Sequence, residues 1–170
     1  MAEETPDSSL SKLDSAQLEM MEEMCLAVDA NDNVISSSSK INCHKGNGIR
    51  HRAFSVLIFD SKNRLLMQQR AEEKITFPGI WANSCCSHPL DIEFENGEAK
   101  QGVIHASKRK MLQELGIPME VSETWEYNHI GRFEYSCRWD DEWIEHEIDH
   151  VLIVRANVEL SINKNEIKET

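Results

Sequence analysis

The chain has 170 residues, 30 acidic and 18 basic, for a formal charge of −12; 40% are hydrophobic and 28% charged. That composition suits one globular domain with a real core and is short for two. It excludes a membrane span, since no apolar run approaches ~20 residues, and the acidic balance argues against a general nucleic-acid binder.

The N-terminus, MAEETPDSSL, lacks the basic flank and apolar stretch of a signal peptide. Residues 1–12 are polar and rich in Ser, Glu and Asp, so they are expected to be a disordered tail before a single domain over 13–170. Asp14 or Ser15 can cap a helix running to about Met24, with Leu18, Met21 and Met24 on one face. Cys25–Val28 and Val34–Ile35 flank the turn-rich Asp29–Asn33 as a hairpin. A polar Ser36–Ser39 run and an irregular stretch with Gly46 and Gly48 follow. Ala53–Phe59 is a strong strand, and the turn Asp60–Asn63 leads to a second strand over Arg64–Arg70. Phe77-Pro78-Gly79 breaks the chain before Trp81–His88, and Asp91–Glu98 is an acidic loop. Gln101–Leu115 reads as a helix with Val103, Ile104, Ser107, Met111, Leu112 and Leu115 in its stripe and Lys108, Arg109 and Lys110 elsewhere; Gly116 and Pro118 stop it. Tyr127–Tyr135 and Glu147–Arg155 are two further strands. Strands before and after one central helix predict a mixed α/β (α+β) sandwich rather than a doubly wound parallel sheet.

Charge is unevenly spread. Residues 1–33 carry nine acids against Lys12 alone, whereas 40–74 carry eight bases against three acids. Such a stretch can hold a small anion, because local field rather than net charge decides binding; the alternative is a solvated basic face. Five cysteines, with no CxxC pair and no signal peptide, predict free thiols in a reducing, cytoplasmic setting.

Among seven histidines, His44 and His51 lie near irregular chain entering a core strand, and His88 ends Cys85-Cys86-Ser87-His88-Pro89. Glu145 and Glu147 flank His146, and on a strand they share one face. Three imidazoles and two carboxylates suit a divalent ion such as Mn²⁺, or Zn²⁺ in an expanded shell; alternatively the two glutamates belong to the acidic surface. A histidine bound to such an ion would hold the Cys86 thiol beside it, lowering the thiol's pKa. Glu114 sits on a last helical turn, where the helix dipole does not favour an acid; hydrated Mg²⁺ is one reason for it, a solvent-facing glutamate the other.

The run His51-Arg-Ala-Phe-Ser55, with Phe77-Pro-Gly79, Asn83-Ser-Cys-Cys-Ser-His-Pro89, Arg109…Glu114-Leu-Gly116 and Glu145-His-Glu-Ile-Asp149, resembles the type I isopentenyl-diphosphate delta-isomerases of the Nudix superfamily. The segments occur in the family's order from about Met24 to Glu166. The resemblance implies a Nudix-like mixed-sheet α/β/α sandwich and interconversion of isopentenyl and dimethylallyl diphosphate. It implies Cys86 and Glu147 as the proton-transfer residues, with His44, His51, His88, Glu145 and Glu147 holding a first metal, Zn²⁺ or Mn²⁺. Glu114 would hold Mg²⁺ on the substrate diphosphate, and Lys40, Arg70, Lys74, Arg109 and Lys110 would bind the diphosphate. Tyr135 would stand near the glutamate, and Trp81 or Tyr135 could face a carbocation. The implied partner is a small isoprenoid diphosphate, bound by a monomer without nucleic acid or membrane. The setting is cytoplasmic, or peroxisomal if an address lies beyond Thr170.

Two departures shape the expectation. The Nudix hydrolase box needs several carboxylates around Arg109, but Lys110 and Gln113 replace two and Glu114 remains, which favours the isomerase over a Nudix pyrophosphohydrolase. The family also continues into C-terminal helices bearing a tryptophan that covers the pocket, whereas this sequence stops at Lys168-Glu-Thr170. The missing helices leave a third reading, a non-catalytic domain that binds metal and diphosphate.

Overall fold

The computed structural model describes residues 14–170, so the tail expected over 1–12 lies outside the described residues. Asp14 caps α1 (Ser15–Met21), its Oδ1 accepting from the Ala16 and Gln17 amides at 2.9 and 3.1 Å. The helix ends three residues before the predicted Met24, because Met24 opens β1 (Met24–Val28). That strand pairs antiparallel with β2 (Val34–Ser39), so the polar serine run is strand rather than loop. The Asp29 carboxylate accepts from the amides of Asn31 and Asn33, closing the turn. Lys40–His44 forms α2, too short to leave a periodic signature.

The centre is β3 (His51–Phe59), whose apolar residues fill the middle of a six-stranded mixed sheet. One edge of β3 meets β1 at His51 and β6 (Cys85–Ser87) at Phe54–Val56; the other runs parallel to β8 (Ile144–Arg155). Antiparallel to β8 lies β7 (Asn128–Arg138). With both edges of β3 taken, the predicted strand over Arg64–Arg70 cannot extend the hairpin. Only Leu65 bridges back to Phe59, and β4 (Gln68–Arg70) instead pairs with β5 (Trp81–Ala82) and β9 (Ile167–Glu169) in a second, three-stranded sheet.

Parallel pairing of β3 and β8 requires a crossover, which carries α3 (Ala99–Leu115) and the short α4 (Met119–Ser122). The Glu98 carboxylate caps α3, and Gly116 ends it at φ 69°, a left-handed position that glycine adopts without strain. Val103, Ala106, Met111 and Leu115 pack on Phe54, Val56, Ile58, Leu152 and Val154 as the main core. Two stripe details differ from expectation: Leu112 is exposed, while Lys110 is buried. Among the described residues no helix is long and apolar enough to cross a membrane.

Candidate functional site

Three imidazoles and one carboxylate meet where α2, β3, the end of β6 and β8 converge. One ligand atom from each of His44, His51, His88 and Glu147 lies within 4.8 Å of every other, and all four residues are buried. His51 and Glu147 are direct partners in the parallel register. The ring centroids stand 4.7–4.9 Å apart. His44 Nδ1 donates to the Lys40 carbonyl and His51 Nδ1 to the Ile49 carbonyl, each at 2.7 Å. Those bonds turn both Nε2 atoms toward Glu147 Oε1, at 4.0 and 3.5 Å. His88 Nε2 lies 2.8 Å from the same oxygen.

His51 Nε2 and His88 Nδ1 are buried without a hydrogen-bond partner. Acceptor atoms gathered around one point, with backbone carbonyls fixing two rings from behind, are the donor set of a divalent cation. Burial, then the neighbouring His88 and His51, drives His44 well below the ordinary histidine range, and burial drives His88 down to about 3. Burial opposes ionisation of Glu147, but His51 and His88 win and hold its pKa well below the usual carboxylate value. Burial weighs against a charged His51, but the facing Glu147 carboxylate prevails and raises its pKa. The unprotonated His44 and His88 rings and the ionised Glu147 are in the forms that ligate metal, and His51 would give up its proton to a cation.

The cluster opens on a cavity of about 420 Å³. Lys40, Arg70, Lys74, Lys110 and Glu114 line it, as do Cys86, Tyr135, Glu145 and Glu147. Burial pushes the Cys86 thiol up to about 12 despite the Arg70 charge, so it holds its proton at neutral pH. Cys85 on the adjacent position is fully buried in the core. The Tyr135 hydroxyl lies 2.9 Å from Glu145 Oε2 and 2.7 Å from Glu147 Oε2, linking the two carboxyls. Burial and the Glu147 charge raise Glu145 to about 7.

The NUDIX domain family matches residues 49–170. The chain is 45% identical to the isopentenyl-diphosphate delta-isomerase of Gibberella zeae over 98% of this chain and 69% of that one. It is 47% identical to the Bos taurus isopentenyl-diphosphate delta-isomerase 1 (96% and 74%) and to the Schizosaccharomyces pombe enzyme (91% and 71%). This chain belongs to the isopentenyl-diphosphate delta-isomerase family. A solved structure from Deinococcus radiodurans, 14% identical with a TM-score of 0.62 over 86% of this chain and 80% of that one, shares its fold.

Against the isomerase expectations, most of the named residues do meet. Glu145 lines the same cavity but stands outside the four converging residues, with the Tyr135 hydroxyl linking it to Glu147. Arg109 stands apart. Its guanidinium grips Glu95 at 2.7 and 2.9 Å and donates to the His88 carbonyl at 3.2 Å, outside the cavity lining. Trp81 is half exposed on β5 and away from the cavity, where Phe133 stands instead. Glu114 is no solvent-facing glutamate: it is buried, with Lys110 Nζ at 3.2 Å and Gln68 Nε2 donating at 3.1 Å.

Sequence reasoning missed Asp149 and Ser55, which line the cavity joined by a 2.7 Å hydrogen bond, and Gln17 of α1. It also assigned nothing to Glu166, 2.6 Å from Lys74. Asp149 was within sight, since it continues the Glu145/Glu147 alternation by one step; Gln17 and Glu166 carried no local signal.

Proposed function

We propose that the chain interconverts isopentenyl and dimethylallyl diphosphate by adding a proton at one end of an allylic unit and removing one at the other. The observation that carries this reading is a proton-holding thiol and an ionised carboxylate lining one cavity from strands on either side of β3, beside a cluster of cationic side chains. Protonating an unactivated alkene creates a tertiary cation-like state that water would capture, so acid and base must act in a sheltered pocket. Cys86 and Glu147 exchange the two protons, trading roles between the forward and reverse directions. Tyr135 keeps the Glu147 carboxyl oriented through its hydroxyl. Lys40, Arg70, Lys74 and Lys110 receive the diphosphate, whose binding energy places the five-carbon tail between thiol and carboxylate. His44, His51, His88, Glu145 and Glu147 would hold Zn²⁺ or Mn²⁺, and Glu114 would hold Mg²⁺, supplying Lewis acidity and charge neutralisation.

The reading carries with it a monomer in a cytoplasmic setting with a small diphosphate as its partner. A pyrophosphohydrolase is less favoured, because the Glu114 carboxylate faces Lys110 rather than further acids. Isotope-labelled isopentenyl diphosphate with Mg²⁺ should yield labelled dimethylallyl diphosphate, and Cys86→Ala or Glu147→Gln should abolish it in a folded chain. Turnover surviving either substitution would overturn the proton assignment; phosphate release without isomer would overturn the reaction.

A further inference from the structure

We propose that Glu166 is a positioning residue for diphosphate binding, acting through Lys74; the inference rests on the isomerase reading above. Lys74 lies in the turn after β4 and its side chain, four rotatable bonds long, lines the cavity. Its ammonium lies 2.6 Å from Glu166 Oε2, with only 1% of the glutamate side chain exposed and 11% of the lysine's. Glu166 is in turn fixed from the other side. Gln17 Nε2, reaching in from α1, shares its two hydrogens among Glu166 Oε1 at 3.3 Å and the Asn165 side-chain and main-chain oxygens at 2.7 and 3.1 Å.

The same segment grips the backbone that carries Lys74. The Ala71 amide donates to the Glu166 carbonyl at 3.0 Å, and Ile167 pairs with Arg70. Lys74 is therefore held at both its main chain and its charged end. One of its three ammonium hydrogens goes to Glu166, and two remain for phosphate oxygens.

Lys74, Lys40 and Lys110 lie close enough that each of the latter two feels the charge of Glu166 or of its neighbouring lysines. Lys110 has Glu114 at 3.2 Å and Lys40 has Glu23 at 3.9 Å, so each lysine of the group is backed by a carboxylate, Lys74 by Glu166. A fixed carboxylate behind Lys74 keeps it in place, so the rotamer entropy of that side chain is already spent when the diphosphate arrives. Glu166 does not touch the substrate in this scheme; it sets where a substrate-binding group points.

The test is a double-substitution cycle with Glu166→Gln and Lys74→Ala, reading KM and kcat for isopentenyl diphosphate and competitive inhibition by inorganic pyrophosphate. Glu166→Gln should raise KM and the pyrophosphate inhibition constant about tenfold, with kcat changed less than about twofold. In the Lys74→Ala background the same substitution should change KM no further. Glu166→Asp keeps the charge and should lie between; it also serves if Glu166→Gln fails to fold. An unchanged KM, an effect that adds fully to Lys74→Ala, or a loss confined to kcat and melting temperature overturns the proposal. A wild-type chain that makes no dimethylallyl diphosphate fails the isomerase reading instead, so the two failures are distinct.

Discussion

Two polar clusters sit on the same pair of strands and face opposite ways. His51 and Glu147 of β3 and β8 belong to the cavity cluster, whereas their near neighbours Arg52 and His150 join Asp32 in a second one. Asp32, buried in the β1–β2 turn, accepts from Arg52 Nε at 2.7 Å, His150 Nε2 at 2.8 Å and Arg132 at 3.3 Å. His129 then continues the chain, 2.9 Å from His150. The second cluster brings its own cations, and its carboxylate is fully used. The cavity cluster gathers a carboxylate and three imidazoles with no Lys or Arg among them. One arrangement is a joint and the other a socket, and the difference lies in whether the positive charge comes from the chain itself.

The largest expected effect breaks the joint. Asp32→Ala leaves Arg52 buried without its counter-charge, so urea unfolding should show a loss of about 3–5 kcal/mol, with metal content of the folded fraction unchanged. The socket should respond to cation instead. Zn²⁺ or Mn²⁺ at a hundred times its dissociation constant should stabilise the chain by about 2.7 kcal/mol, read as a higher melting temperature. Metal analysis should find the ion retained in wild type and lost in His51→Ala; retention there would dissolve the contrast.

Acid should separate the clusters further. Burial opposes the ionisation of Asp32, but hydrogen bonds from His150 and Arg52 prevail, and its pKa falls below the ordinary value. Its contribution is present above the unfolded-state pKa and lost as pH falls through the lower folded value. Asp32→Asn should accordingly flatten the acid limb of a stability–pH curve. The smallest effect belongs to Arg132, whose side chain is 45% exposed: Arg132→Met should cost at most about 1 kcal/mol in the same urea measurement.

Much of this was legible along the chain. Asp14 as a cap, the Asp29–Asn33 turn, and α3 with its Gly116 stop are all decided within a few residues, and the structure keeps them. His44, His51, His88 and Glu147 could be singled out as candidate ligands because the residue types and their motifs are unusual, and the fold brings them together. Lys110 shows what periodicity alone does not see. The helical stripe counts apolar residues and left this lysine off it, and only the family resemblance set it with the diphosphate bases; its side chain is buried beside Glu114, one turn on, in the cavity wall. A polar pocket buries charge without an apolar signature.

Pairings between distant segments decided the rest. Periodicity assigns a residue to one face of its own strand, but not which neighbour lies across from it. No window of sequence shows that Arg109 meets Glu95 at 2.7 Å, or that the Tyr135 hydroxyl joins Glu145 to the cluster's carboxylate. The second sheet exists because β1, β6 and β8 already occupy both edges of β3, a condition that no window around residues 64–70 contains. The sequence determined which groups can bind a cation, hold a proton or attract phosphate, since that is side-chain chemistry. Only the tertiary structure decided which of them meet and which are already paired, because strand order and register, set by burial of the whole core, bring residues a hundred positions apart to within a hydrogen bond.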